Sequence, residues 1–431
     1  MKYLRNRIIN HPHYNKIKHW GKLIFITGSA QVLVQIVGFI SGILVIRLLP
    51  VEEYALYTLA NTMLGAMTVL SDGGISTGVM ALGGKVWEDK TKLGVVLSTG
   101  LELRRKFAIG ALAVSVPILC YLLLHHGATW VTAILIAASL IPAFFAALSD
   151  NLLQIAPKLH QAITPLQKNQ MEVSIGRLLL TGLTLFAFPW TFVAILASGI
   201  PRIWGNLRLR KISDRFADKE QLPGVEERKE ILKVVKKILP GSIYYAISGQ
   251  LTIWLISIFG NTTSVAQLGA LGRLMVIFNI FNVLVATLIV PRFARMENIR
   301  GQVVKKFFLI ISGIVGISLA TILLINFFSE PILYILGTEY QHLNVELLLS
   351  AVSGCLGLVV GIMFSLSSSR AYIISPTINI GISILTQILL IILLPLNDTK
   401  GVLLFSIIAN IVIFFMFLIN FIYYSKKIPI T

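Results

Sequence analysis

Long apolar runs alternate with shorter polar gaps along this chain of 431 residues. A hydrocarbon core about 30 Å thick is crossed by a helix of about 20 apolar residues, and most of the runs have close to that length. The pattern therefore predicts an all-α polytopic membrane protein with twelve transmembrane helices. The predicted spans are 23–46, 54–71, 107–124, 129–149, 174–188, 191–207, 238–259, 264–290, 307–328, 344–366, 372–394 and 401–424.

Positive charge is divided unevenly among the polar gaps. Nearly all of the 37 Lys and Arg residues lie in the N-terminal segment or in every second gap after it. Such residues accumulate on the cytoplasmic side of a membrane, so we predict cytoplasmic N and C termini. The same bias favours two spans within 173–207, separated at Phe188-Pro189-Trp190, because a single span there would cancel the asymmetry.

The composition agrees with a membrane protein and excludes several other classes. Hydrophobic residues make up 56% of the chain, charged residues 13%, and the mean hydropathy is +0.82. The net charge of +18 follows from the topology, so no nucleic-acid partner is expected. Cys120 and Cys355 both lie within apolar runs, and the histidines have no ligand partners at helical spacing. We therefore expect no metal site and no cofactor.

The longest polar stretch, 208–236, divides the chain into two blocks of six predicted helices. We interpret 1–207 as the N-lobe, 208–236 as a cytoplasmic linker and 237–431 as the C-lobe. Each block starts and ends on the cytoplasmic side, as in a parallel repeat, which makes the lobes pseudo-symmetric. The end of the linker, 225–237, has one apolar and one charged face, which fits an interfacial helix or a solvated linker helix equally.

A shift of 212 residues relates short segments of the two blocks. Residues 56–63 align with 268–275, and this makes Asn61 the counterpart of Arg273. Arg273 lies deep within its predicted span, where exposure to lipid is costly, so it should face a cavity or the protein interior. A guanidinium there suits a phosphate or carboxylate, although an Arg that holds the lobes in register is the alternative.

Other polar side chains within spans complete the candidate cavity, and each alone also fits a hydrogen bond between helices. They are Gln31, Gln35, Asn61, Gln250, Asn279 and Asn282.

The sequence has no motif typical of a catalytic site. We find no paired carboxylates at catalytic spacing, no phosphate-binding loop, no metal-ligand cluster and no nucleophile elbow. The chain is therefore predicted not to be an enzyme.

Four short motifs, in order along the chain, carry a resemblance to a known family. Residues 46–57 read Ile-Arg-Leu-Leu-Pro-Val-Glu-Glu-Tyr-Ala-Leu-Tyr, and 70–75 read Leu-Ser-Asp-Gly-Gly-Ile. Residues 290–293 read Val-Pro-Arg-Phe, and 336–340 read Leu-Gly-Thr-Glu-Tyr. Together they resemble the polysaccharide and O-antigen flippases of the multidrug/oligosaccharidyl-lipid/polysaccharide exporter superfamily, with Ala55 in place of that family's usual Gly.

The resemblance implies two six-helix lobes around a cavity that opens alternately to each face of the cytoplasmic (inner) membrane. The implied substrate is a polyprenyl-pyrophosphate-linked oligosaccharide, moved to the outer leaflet for polysaccharide, O-antigen or lipopolysaccharide biosynthesis. Arg273 matches the cavity cation of the eighth helix in that pattern. A second cation is absent from spans 1 and 2, where Gln31, Gln35 and Asn61 stand. Membrane lipid and a glycan polymerase or glycosyltransferases are the implied partners.

Four residues are candidates for the interface and for gating: Arg47, Asp72, Gly38 and Gly42. Gly28 and Pro240 are further candidates for bending, although such glycines also serve close helix packing.

Two other functions remain open from the sequence. A drug/cation antiporter of the same superfamily would want an acidic residue in an early span, and span 1 has none. Asp72 and Asp150, near cytoplasmic helix ends, are more typical of helix caps or ion-pair partners. A scaffold that recruits glycosyltransferases is the third possibility.

Overall fold

The computed structural model describes residues 32–427 except 279–280, 283, 286–288, 295, 298, 371 and 373. Helices, joined by turns and short irregular segments, account for these residues, and no strand occurs among them. The part of the chain up to residue 213 is called the N-terminal half, and the part from 225 onward the C-terminal half. The N-terminal half contains α1 (Val32–Leu48), α2 (Val51–Asp72), α3 (Ile75–Gly83), α4 (Lys90–His125), α5 (Trp130–Leu153), α6 (Ile155–Leu159), α7 (Ile163–Ala187) and α8 (Thr191–Ser213).

The C-terminal half continues in the same manner. It contains α9 (Val225–Ser248), α10 (Leu251–Phe259), α11 (Thr262–Met275), α12 (Val290–Ala294), α13 (Arg300–Phe327), α14 (Ser329–Leu336), a 3₁₀ turn (Thr338–Tyr340), α15 (Asn344–Ser369), α16 (Pro376–Leu393) and α17 (Thr399–Ser425).

Six of the described helices are long and apolar enough to cross a membrane, which makes the chain a multi-pass membrane protein. They correspond to α4, α5 with α6, α13, α15, α16 and α17. The pair α9 and α10 passes the same test as one span with a bend of 45°. Helices α7 and α8 are separate, and residues 188–190 lie between them outside either helix.

Two of the predicted spans are interrupted. The eighth, 264–290, has a turn at Val276 and Ile277, where α11 ends. In the seventh, the bend lies between Ser248 and Leu251 instead of at Pro240, which is inside the continuous helix α9. Bending of α9 at Pro240 during transport stays a prediction. Gly28 lies outside the described residues.

The amphipathic segment 225–237 forms the start of α9 and packs against the N-terminal half. Ile231 and Val235 are buried in a cluster with Ile75, Val79 and Leu93. A Cβ on Gly78 would lie 3.2 Å from Ile231, so this glycine permits the close approach of α3 to α9. The apolar face is thus covered by protein, which corrects both the membrane-surface and the solvated interpretations.

The two halves share one hydrophobic core between α2 and α11. Leu56, Leu59 and Met63 of α2 are buried in the same cluster as Leu268 and Leu271 of α11. The 212-residue shift aligns Leu56 with Leu268 and Leu59 with Leu271, so aligned apolar positions of the two halves are buried in the same core.

Candidate functional site

Arg273 of α11 lies against α1, at the boundary between the two halves. A Cβ on Gly42 would be 3.3 Å from Cδ and 3.7 Å from Nε of Arg273, so the absence of a side chain at Gly42 leaves room for the arginine. The guanidinium interacts with the hydroxyl of Tyr54 on α2, and Tyr57 is also near. The predicted cavity cation is therefore held between α1, α2 and α11.

A second arginine, Arg177 of α7, approaches the same face of α1. A Cβ on Gly38 would lie 3.4 Å from Nη2 of Arg177. Gly38 and Gly42 are one helical turn apart and share a face. The Nε of Arg177 is buried and has no hydrogen-bond partner among the described residues. Two helices thus direct one guanidinium each toward the glycine face of α1.

The two guanidinium groups are close enough to repel each other. Neither has a carboxylate partner in the part of the chain that the structure describes. Arg202 of α8 is also near Arg177 but pairs with Asp150, at 3.3 Å. Two unpaired like charges in a partly buried site destabilise one another unless an anion lies between them. We call Arg177 and Arg273, with Gly38, Gly42 and Tyr54, the arginine site.

The sequence prediction missed Arg177. The distribution of positive charge assigns Arg177 to a basic gap that is predicted to be cytoplasmic, and spans 1 and 2 contain no second cation. The structure supplies that cation from α7 instead. Its position inside the predicted span 174–188, directly before Leu178-Leu179-Leu180, was the signal that marked it as unlike a loop arginine.

Three acidic residues of the neighbouring helices form ion pairs with arginines, so they do not compensate the positive charge of the arginine site. The pairs are Asp72 with Arg104, Asp150 with Arg202, and Glu172 with Arg208, each between two helices. Asp72, a gating candidate, also accepts a hydrogen bond from the Ser76 hydroxyl at 2.5 Å. Asp72 and Asp150 therefore serve as ion-pair partners.

Three other cavity candidates in the described ranges contact residues outside the arginine site. Asn61 donates to the carbonyl of Tyr57 in its own helix, at 2.9 Å. Asn282 lies beside Gly361 of α15, and Gln250 lies beside Gly65 of α2. Gln35 is partly buried on α1. Gln31 and Asn279 lie outside the described residues.

Arg47 connects the halves at the predicted outer end of α1. It donates from Nε to the carbonyl of Ile335 at 2.8 Å and from Nη2 to that of Tyr334 at 2.5 Å. Its guanidinium carbon is 5.6 Å from the centre of the Tyr334 ring. A cavity of about 620 Å³ adjoins this contact, and its lining includes Glu52 and Tyr340. Burial raises the pKa of the Tyr340 hydroxyl, which therefore stays protonated.

His126, which follows α4, makes a second contact between the halves that sequence analysis did not find. Its Nε2 is 2.9 Å from both the carbonyl and the hydroxyl of Ser257, and its Nδ1 is 3.0 Å from the hydroxyl of Thr262. Burial lowers the pKa of His126, so a neutral ring with Nε2–H donating to the carbonyl fits the geometry. We call the contacts of Arg47 and His126 the outer contact.

Gly269 lies at the closest approach of α11 to α2. A Cβ there would be 2.7 Å from Cγ2 and 3.1 Å from Cβ of Thr58, a residue that is 8% exposed. Gly269→Val should disfavour this arrangement of the halves by about 1–3 kcal/mol, the usual cost of overpacking. A Thr262→Cys reporter in a Cys120→Ala, Cys355→Ala background should then react faster with a membrane-impermeant thiol reagent.

Gly272, one turn further along α11, provides the matched control. A Cβ at that position would meet no atom within 4 Å. Gly272→Val should therefore leave the labelling rate unchanged. Equal labelling in both variants would show that the approach of α11 to α2 does not control access to the outer contact.

The sequence matches no family model and no curated protein. Its fold is similar to solved membrane transporters. The lipid II flippase MurJ, in an inward closed conformation, has a TM-score of 0.72 at 15% identity, over 92% of this chain and 87% of its own. A multidrug resistance transporter of the MATE family and MOP superfamily, inward-facing, has a TM-score of 0.68 at 15% identity, over 91% of this chain and 96% of its own.

An outward-facing structure of a MATE family transporter gives a lower TM-score of 0.56, again at 15% identity, over 94% of this chain and 97% of its own. The similarity covers nearly the whole of each chain in all three comparisons. The chain is a multi-pass membrane protein with the fold that this flippase and these multidrug transporters share.

Proposed function

We propose that this protein is a flippase that moves a polyprenyl-pyrophosphate-linked oligosaccharide from the cytoplasmic to the outer leaflet of the cytoplasmic membrane. The product would serve the synthesis of a surface polysaccharide of the O-antigen type. The observation that carries the proposal is the arginine site, where two cations without carboxylate partners among the described residues face successive glycines on one face of α1.

The chemistry of the substrate explains why such a site is needed. The charges of a pyrophosphate and the hydroxyls of a sugar would lose their hydration in hydrocarbon, which is costly for each group. Guanidinium groups bind phosphate oxygens in bidentate fashion and are more weakly hydrated than an ammonium group. The arginine site replaces the hydration of the pyrophosphate, while the polyprenyl chain stays in the bilayer.

The transport cycle is alternating access by rocking of the two halves. We propose twelve spans with both termini in the cytoplasm, which agrees with the distribution of Lys and Arg. The outer contact joins the halves in this structure. The higher TM-score with the inward-facing than with the outward-facing MATE structure also favours an inward-oriented state.

A drug/cation antiporter is the second candidate, because the multidrug transporters in the comparison share the fold. Such a protein would present a carboxylate to its cargo or coupling ion. The membrane acids Asp72, Asp150 and Glu172 are instead paired with arginines, which favours an anionic substrate.

Reconstituted vesicles distinguish the two functions. Polyprenyl-pyrophosphate oligosaccharide is placed in one leaflet, and its accessibility to an added glycosidase on the other side is followed over time. We expect access to appear much faster in vesicles that contain the protein than in empty ones. Efflux of a cationic dye without movement of the lipid-linked sugar would instead identify an antiporter.

A further inference from the structure

A second cationic pocket lies within the N-terminal half, away from α1. Its volume is about 150 Å³, and it is formed by residues of α4, α5 and α8 only. The lining residues are Leu101, Arg104, Arg105, Phe145, Leu148, Ser149 and Arg210. Three of these seven side chains are arginines, and none is acidic.

Arg104 is the buried member of the pocket. It is 1% exposed, and its Nη1 lies 3.2 Å from Oδ1 of Asp72 and 3.1 Å from the Ser76 hydroxyl. Its Nε and Nη2 are buried and have no hydrogen-bond partner among the described residues. Unsatisfied N–H groups of a buried cation are costly, so an acceptor inside the pocket would stabilise Arg104.

Arg105 and Arg210 are exposed and stand at the rim of the pocket. Neither forms an ion pair within the described ranges. Nε of Arg210 donates to Oδ1 of Asn206 at 3.4 Å, which holds the arginine along α8. The nearby Glu102 is already engaged by Lys106 and Arg228. The pocket therefore combines one buried guanidinium group with two exposed ones that have no ion-pair partner among the described residues.

An apolar surface continues from the pocket along α4 and α5. Ile109, one turn beyond Arg105, is 65% exposed, and Ile141, one turn before Phe145, is 38% exposed. Phe145 itself is 40% exposed and lines the pocket. A cationic pocket at the end of an exposed apolar stripe matches the two parts of a phospholipid, an anionic head group and acyl chains.

We propose that this pocket binds the phosphate of an anionic phospholipid from the cytoplasmic leaflet, with its acyl chains along Ile109, Ile141 and Phe145. Arg104 donates to the phosphate from within, and Arg105 and Arg210 close over it from the rim. Basic pockets between helices on the cytoplasmic side are suited to such head groups. This site is independent of the cargo of the arginine site.

The test is lipid binding by the purified full-length protein, followed by native mass spectrometry with added phosphatidylglycerol. Arg105→Gln and Arg210→Gln should each weaken binding by about fivefold, and the double variant by about 25-fold. Both residues are exposed, so these variants should fold normally. Arg215→Gln, an exposed arginine beyond the end of α8, is the matched control and should bind as the native protein does.

Three outcomes of the lipid-binding measurement decide whether the proposal holds. Unchanged phosphatidylglycerol binding in the double variant would overturn it. Displacement of the phosphatidylglycerol by inorganic phosphate at equal concentration would identify a free phosphate site instead of a lipid site. Equal binding of phosphatidylcholine would remove the role of net negative charge, whereas a marked preference for phosphatidylglycerol that needs Arg105 and Arg210 would establish it.

Discussion

Replacement of both Arg177 and Arg273 by glutamine should reduce translocation of polyprenyl-pyrophosphate oligosaccharide to the rate of empty vesicles. A hydrogen bond between charged groups contributes about 1.5–3 kcal/mol, so each single replacement should slow transport by about 10- to 150-fold at limiting substrate. Lysine at either position should restore transport only in part, because an ammonium group cannot bind phosphate in bidentate fashion. The glycosidase accessibility assay measures each rate.

The thermal stability of the same variants separates a binding role from a structural one. Each replacement removes a partly buried charge that lacks a carboxylate partner, so the Tm should stay the same or rise. Arg215→Gln, an exposed position beyond the end of α8, should change neither transport nor Tm. A lower Tm with lost protein, in parallel with lost transport, would mean that the two arginines only hold the helices together.

A disulfide across the outer contact should stop transport completely while it is intact. His126→Cys with Thr262→Cys, in a Cys120→Ala, Cys355→Ala background, joins α4 to α11 at positions whose native side chains are 3.0 Å apart. Oxidation would hold the halves together at the outer contact, so transport should fall to background and return after reduction. The rate in vesicles, before and after a reductant, is the measurement.

A cross-link within one half serves as the control for the oxidation itself. The hydroxyls of Ser353 on α15 and Ser406 on α17 are 2.8 Å apart, and both residues belong to the C-terminal half. Ser353→Cys with Ser406→Cys should leave transport unchanged under oxidation. Continued transport with the His126 and Thr262 positions fully cross-linked would contradict alternating access at this contact.

The membrane helices were predictable because the bilayer demands long apolar segments, and the sequence shows them directly. Helices occur within all twelve predicted spans, but the sequence did not predict the interruptions of the seventh and eighth spans. The end of α11 at Met275 and the bend after Ser248 depend on packing around the helices, and neither has a proline at the break. Pro240, the residue that did signal a bend, lies in a continuous helix.

The arginine site was only partly predictable, because a charged residue stands out in the sequence only where the surrounding run is apolar. Arg273 stands out because its run is otherwise nearly free of charge, and Gly38 and Gly42 were marked as small residues on α1. Arg177 was missed because its charge fits the positive-inside pattern equally well, and only the tertiary structure shows that it faces Gly38. The contact of His126 with Ser257 joins residues 131 positions apart, which no local pattern reports.

Helix α9 would couple a movement of one half to the other, because one of its ends packs on the N-terminal half and the other leads into the C-terminal half. Its first turns are seated on the N-terminal half, with Ile231 against Gly78 and Ile238 against Gly74, while its far end leads through the 45° bend into α10. A rigid rotation that separates the halves at the outer contact would have to increase the bend between α9 and α10. Otherwise it would have to break the contacts of Ile231 with Gly78 and of Ile238 with Gly74. In the proposed transport cycle, the stiffness of α9 and the packing of these two isoleucines on the two glycines would therefore contribute to the barrier between the inward and outward states.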